Sequence, residues 1–172
     1  MHSTFSDGEF SPTKLVAIAK GNGVSVLCLT DHDTFEGIQE FLAAAKAEGI
    51  FAFPGIEITV RYRGFNLHLL AYFESADSLS DELCHEVEKM ASMREKHMRE
   101  LIVRLNEVVP KIFFGTIIYE NVRRYAEGVL ARPHLAKEMV RLGIVSTTHE
   151  AFDRYLVKYN VERDNLEMED AL

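Results

Sequence analysis

Five residues in the first half of the chain have side chains suited to holding a transition metal: His2, Asp7, His32, Glu57 and His68. His32 lies in Thr30-Asp31-His32-Asp33, directly after the apolar run Val24 to Leu29. An imidazole between two carboxylates can ligate a metal while its neighbours orient the ring. The same stretch can also start a helix, with Asp33 or Thr34 as N-cap. Glu57 stands between Ile56 and Ile58, and His68 between Leu67 and Leu69, in runs that read as strands. A carboxylate buried in such a strand is costly unless it is paired, hydrogen-bonded or bound to a metal. Imidazoles and carboxylates drawn from four separate segments suit Zn, Mn or Fe, whereas Ca and Mg prefer oxygen ligands alone.

The elements that must position these groups read as follows. The opening, Met1 to Gly8, is polar and loop-like. Ser11-Pro12 starts a helix with an apolar stripe at Leu15, Val16, Ile18 and Ala19, ended by Gly21 and Gly23. The strand Val24 to Leu29 ends at the Thr-Asp-His-Asp stretch, the position at which parallel strands of α/β folds present binding groups. A helix is expected from about Thr34 to Glu48, and a short strand at Ile50 to Phe53. Pro54-Gly55 reads as a turn, followed by a strand at Ile56 to Val60, a hairpin turn at Arg61 to Gly64 and a strand at Phe65 to Phe73. Beyond Ser75 the pattern becomes helical. A long helix runs from Ser80 or Asp81 to about Asn106, broken by Pro110, with further helices at Thr116 to Glu127, Arg132 to Leu142 and Thr147 to about Leu156. The acidic tail, Val161 to Leu172, has only the start of a helix at Leu166 or later. This predicts an α/β unit at 1–75, a helical insert or cap at 76–160, and a return toward the α/β unit at 161–172.

At 172 residues the chain can bury one ordinary core, and its formal net charge of −8 argues against a non-specific grip on long nucleic acid. A phosphate can still be held locally by a few placed cations. The two cysteines, Cys28 and Cys84, have no motif spacing and imply no disulfide framework, which points to the cytoplasm. No run is apolar enough to span a bilayer, and no signal-peptide pattern is present, so no membrane partner is expected. No Gly-rich phosphate loop, no G-x-G-x-x-G and no G-x-S-x-G elbow occurs.

Taken together, several motifs resemble the PHP (polymerase and histidinol phosphatase) family. His2-Ser3-Thr4-Phe5-Ser6-Asp7-Gly8 resembles the end of its opening H-x-H…S-D-G motif. Thr30-Asp31-His32-Asp33-Thr34 with Gly37 resembles T-D-H-D-T-x-x-G, and Pro54-Gly55-Ile56-Glu57-Ile58 resembles P-G-x-E-I/V. His68-Leu69-Leu70-Ala71-Tyr72-Phe73 is similar to H-I-L-G-Y-F. Arg132-Pro133-His134-Leu135-Ala136 and Ala151-Phe152-Asp153-Arg154-Tyr155-Leu156 resemble segments of a subgroup with a helical insert.

The resemblance implies a distorted seven-stranded β/α barrel, here in part, with a site for two or three divalent metals at its mouth. Manganese is the expected metal, and iron or zinc would suit the same donors. It implies hydrolysis of phosphate esters by metal-activated water, acting on small nucleotides such as nucleoside 3′,5′-bisphosphates or on short RNA from the 5′ end. By position, His2 and Glu57 would hold one metal, Glu57 would bridge to a second shared with His68, and Asp7 and His32 would serve a third. His32 and Glu57 would be the residues on which catalysis depends. Arg132 and His134 would reach the substrate phosphate, with Arg94 assisting.

The chain departs from the family pattern at both ends. Met1 stands where the residue between the two opening histidines is expected, and the later His-Pro and D-x-H motifs are absent. The expectation is therefore a truncated barrel, completed by a further segment or a dimer partner. The other reading is a PHP-like remnant that binds without catalysing.

Overall fold

The structure, a computed structural model, describes residues 1–171; Leu172, the last residue of the predicted tail, lies outside the described residues. Helix α1, Pro12–Gly21, begins where the Ser11 hydroxyl accepts from the Lys14 N–H, with Pro12 in the first turn. Strand β1, Val26–Leu29, and helix α2, Ile38–Glu48, follow. Val16, Leu27, Leu29, Phe41 and Ala45 of these three elements share one buried cluster.

Strand β2, Phe51–Tyr62, is a single 12-residue strand, so Pro54-Gly55 is not a turn. Its first four residues pair in parallel with β1, and from Gly55 onward it pairs antiparallel with β3, Phe65–Tyr72. The Pro-Gly pair marks the change of partner. Proline removes a ladder donor at that point. Glycine lets the backbones close up, since a Cβ on Gly55 would lie 2.6 Å from Cys28 Sγ and 3.0 Å from the Ala71 and Leu29 carbonyl oxygens.

Alternation along β2 separates two chemistries. Ile56, Ile58 and Val60 are buried in a cluster with Val87 and Met90 of helix α3, Asp81–Val108. Glu57, Thr59 and Arg61 face the other way. The outer strands are covered less than an apolar reading of them suggests. On β1 Val26 is 53% exposed, and on β3 Phe65 is 73% and Tyr72 56% exposed, because each strand has only one neighbour among the described residues.

After α3 come α4, Tyr119–Arg123, α5, Arg132–Arg141, and α6, Thr148–Ala151, which runs on into a wider turn over Phe152–Leu156. These helices and the C-terminal half of α3 enclose a separate core that includes Met98, Leu101, Leu105, Leu135, Met139 and Leu156. Helix α4 is shorter than its sequence pattern predicts. The Asn106 side chain accepts from the Ile117 N–H at 3.1 Å and donates to the Ile117 carbonyl at 2.8 Å, which holds that backbone outside the helix.

The predicted start of a helix at Leu166 is instead strand β4, Leu166–Glu167, paired in parallel with Val60 and Arg61 of β2, followed by a single 3-10 turn at Met168–Asp170. The fold is thus mixed α/β, with a four-stranded sheet beside a helical unit. Among the described residues no helix is long and apolar enough to cross a membrane.

Candidate metal centre

Backbone pairing carries the site. Beyond the end of β1 the chain keeps parallel register with β2: Glu57 N–H donates to the Asp31 carbonyl at 3.1 Å and Asp33 N–H to the Glu57 carbonyl at 3.0 Å. His32 and Glu57 are therefore bridge partners on neighbouring segments. In the antiparallel register His68 stands opposite Thr59, diagonal to Glu57 on the same face. The chain start lies along β1, with Thr30 N–H donating to the Met1 carbonyl at 2.9 Å, which brings His2 alongside.

All five candidate ligands meet. One ligand atom each from His2, His32 and Glu57 lie within 4.8 Å of one another. Glu57 approaches His2 Nε2 at 3.1 Å, His68 Nδ1 at 3.0 Å and His32 Nδ1 at 3.8 Å. Asp7 lies 3.6 Å from His2 Nδ1 and 3.8 Å from His32 Nε2. The His2 and His32 rings stack at 4.7 Å, and His68 follows at 5.0 Å from His32. His68 differs from its sequence reading: its side chain is half exposed rather than buried, because β3 is an edge strand.

The donor set fits a metal. The buried Nδ1 atoms of His2 and His32 have no hydrogen-bond partner, and such orphans are rare in folded proteins. Burial, helped by the nearby Arg94 charge, holds the His32 pKa below its ordinary 6.5 against the pull of Asp7 and Glu57. The ring is thus neutral, the form that ligates.

Two buried aspartates flank His32 and hold the scaffold. Asp31 accepts from Ser3 N–H and Ser3 Oγ, both at 2.6 Å, and from Ser6 Oγ at 2.5 Å. It fixes the loop that carries His2 and Asp7. Asp33 has φ +49° and accepts from Thr59 N–H at 2.8 Å and Arg94 Nε at 2.6 Å. Its carboxylate is thereby committed to β2 and α3, and helix α2 starts four residues beyond Thr34, at Ile38. The Thr34 hydroxyl instead accepts from Glu36 N–H in a local turn. In the sequence nothing marks Asp31 for this role beyond its place beside His32, since Ser3 and Ser6 lie more than twenty residues away.

The helical unit grips the same opening loop. Glu127 N–H donates to the Thr4 carbonyl at 3.0 Å and Val129 N–H to the Phe5 carbonyl at 2.8 Å. Thr4 Oγ1 donates to Glu127 at 2.8 Å. Between them Gly128 leaves no space for a side chain, since a Cβ there would lie 2.2 Å from the Phe5 oxygen.

Beside the ligand cluster lies a cavity of about 510 Å³ with Asp7, His32 and His68 on one wall and Arg61, Arg94, Arg132 and Arg163 among its other lining residues. Arg132 is exposed, lies 5.8 Å from the Phe152 ring centroid and forms no ion pair among the described residues. Arg94 is tied to Asp33 and also donates to Thr59 Oγ1 at 3.2 Å, so its free valence is smaller than a purely substrate-binding role suggests. His134 is buried, with Nδ1 accepting from Ala131 N–H at 3.1 Å and Nε2 unpartnered. Burial depresses its pKa to about 4. Arg163 carried no sequence signal, since it sits in an irregular segment without periodicity.

Known proteins are similar to the chain over nearly all of it. It is 36% identical to a 5′-3′ exoribonuclease of Haemophilus influenzae, over 90% of this chain and 54% of the relative. It is 27% identical to a 3′,5′-nucleoside bisphosphate phosphatase of Chromobacterium violaceum, over 90% of this chain and 53% of the relative. The chain thus spans about half the length of these curated relatives. A solved structure of a Chromobacterium violaceum amidohydrolase, with sulfate and without metal, superposes with a TM-score of 0.86 at 26% identity, covering 99% of this chain and 59% of that one. A Bifidobacterium adolescentis protein assigned as a metal-dependent phosphoesterase shares the fold, with a TM-score of 0.87 at 24% identity and the same coverage. The PHP domain family model matches residues 1–152, and the chain belongs to that family.

Proposed function

We propose that this chain carries the metal-binding half of a phosphoesterase that hydrolyses phosphate monoesters of small nucleotides, of the nucleoside 3′,5′-bisphosphate kind, or trims short RNA from its 5′ end. The observation that carries the reading is the meeting of His2, His32 and Glu57 donor atoms within 4.8 Å, beside a cavity lined by arginines. His2, Asp7, His32, Glu57 and His68 would hold two or three divalent ions, with manganese first in expectation and iron or zinc suiting the same donors. When bound, such ions polarise phosphoryl oxygens and make water nucleophilic at neutral pH. The protein's own part is to keep His32 neutral, to fix the opening loop through Asp31, and to neutralise the ester's charge. Arg132 supplies a free guanidinium for the phosphate. Because His134 Nδ1 accepts from Ala131 N–H, its Nε2 carries the proton and is a ready donor to a phosphate oxygen. Arg94 aligns Asp33 and borders the same cavity.

In this reading residues 1–75 are the first part of a distorted PHP barrel, 76–160 its helical cap, and 161–172 the return to the sheet, supported by the pairing of β4 with β2. The exposed apolar residues of β1 and β3 favour completion by a further segment or a second copy. The two unpaired cysteines suit a reducing compartment, the cytoplasm.

Metal counting for Mn, Fe and Zn on the purified protein, with an assay of phosphate release from a nucleoside 3′,5′-bisphosphate, tests the proposal. Stoichiometric metal and turnover that disappears in His32→Ala support it. No bound metal and no phosphate release after manganese is added would overturn it for this chain.

A further inference from the structure

The family match ends at residue 152, yet one wall of the cavity comes from beyond it. The segment from Asn160 to Asn165 has no regular structure but is pinned along its length. His97 Nε2 pairs with the Val161 carbonyl at 2.9 Å. Arg61 forms an ion pair with Glu162 at 2.9 Å and donates to the Arg163 carbonyl at 3.2 Å. Asn165 donates to Asn66 at 2.8 Å, and Leu166 enters the sheet beside Val60. The segment is a strap across the cavity, tied to α3 and to both antiparallel strands.

Its central side chain has a neutral acceptor but no carboxylate of its own: Arg163 Nε donates to Asn165 Oδ1. Arg163 is 14% exposed, and its nearest carboxylate, Asp33, lies 3.6 Å away and is already bound by Arg94 at 2.6 Å. Two guanidinium groups therefore share one buried carboxylate. Arg61 has Glu162, while Arg132 has no acidic partner among the described residues. The lining thus holds two guanidinium charges, on Arg163 and Arg132, without a carboxylate of their own. The buried one, Arg163, calls for an anion, and the exposed Arg132 on the same cavity can share it. A dianionic phosphate matches both their number and the geometry of guanidinium forks.

We propose that Arg163, presented by the 160–165 strap and aimed by Asp33, binds a phosphate group of the ligand together with Arg132. This deepens the phosphoesterase reading and rests on it for the identity of the ligand, but the binding itself needs neither metal nor turnover. Arg94 is then a positioning residue, held against Asp33, and Arg163 is the binding one.

The test is a titration of inorganic phosphate into the whole chain, stripped of metal with a chelator, read by calorimetry and by the thermal midpoint. Wild type should bind phosphate and melt at a higher temperature with it. Arg163→Met should weaken phosphate binding at least about tenfold, abolish the phosphate-induced rise, and melt no lower than wild type when phosphate is absent. Arg154→Met, on an exposed helical turn, should behave as wild type. Phosphate binding unchanged in Arg163→Met overturns the proposal, as does a wild type that does not bind phosphate. An Arg163→Met protein that melts lower, or fails to fold, marks Arg163 as a structural cation and also overturns it. Absent turnover with Arg163-dependent phosphate binding would sink the phosphoesterase reading alone.

Discussion

The Asp31 carboxylate holds Ser3 twice, through its backbone N–H and through its hydroxyl, each at 2.6 Å. Asp31 is 1% exposed and also accepts from Ser6, so three donors of the opening loop end on one buried carboxylate. Charge-assisted bonds of this kind are among the stronger ones. Asp31→Asn keeps the shape but turns one acceptor oxygen into a donor facing donors. It should cost about 2–3 kcal/mol of stability and weaken metal binding by roughly 10–100-fold, since His2 and Asp7 ride on that loop. Denaturant unfolding and a manganese titration read the two effects. Wild-type values in both would refute the role given to Asp31.

The glycine between Glu127 and Val129 gives a second prediction. A methyl group on Gly128 would meet the Phe5 carbonyl at 2.2 Å, a backbone atom that cannot step aside alone. Gly128→Ala should destabilise by roughly 1–3 kcal/mol and shift the metal affinity in the same direction as Asp31→Asn. Gly21→Ala, with nothing within 4 Å of the added carbon, should do neither.

Arg94 and Asp33 form a buried ion pair at 2.6 Å. Removing one partner leaves the other charge stranded, at a typical cost of about 3–5 kcal/mol. Arg94→Met should fall near the lower end of that range, since Arg163 remains 3.6 Å from the same carboxylate. Thermal or denaturant melts decide it, and a change within about 0.5 kcal/mol, the scatter of neutral surface substitutions, would contradict the assignment.

His134 makes stability pH-dependent. Its folded pKa of about 4 lies below the ordinary 6.5. The unfolded chain therefore binds more protons between these values, and stability falls as the pH drops from 6.5 toward 4. The loss from this group should reach roughly 3 kcal/mol by the end of that window. Above pH 6.5 the group is neutral in both states and contributes no slope. His134→Gln should flatten the profile in this interval, and an unchanged slope would remove His134 as its source.

The cluster of candidate ligands was the most legible feature of the sequence. Polar residues enclosed in apolar strands, such as Glu57 between Ile56 and Ile58, need a reason, and the proposed metal would supply one. The helices α1 and α5 were legible for a local reason, a proline in the first turn. What escaped depended on contacts distant in the chain. Pro54-Gly55 has the composition of a turn, but close approach of Cys28 and Ala71 makes it the middle of a strand. The Asn106 grip on Ile117 shortened a helix that periodicity alone extends. His68 is half exposed because β3 has a neighbour on one side only, which no local pattern encodes. Arg163 was invisible since its surroundings come from α3, β2 and the Asp33 loop.

The grip of residues 127–129 on Thr4 and Phe5 has a mechanical consequence. A helical unit that swung outward as a lid would drag the loop bearing His2 and Asp7 along with it and pull the ligands apart. Under the proposed function, a ligand would therefore enter through a mouth of fixed outline. Selection by size would then be set by the standing distance between the two halves, not by how far they open.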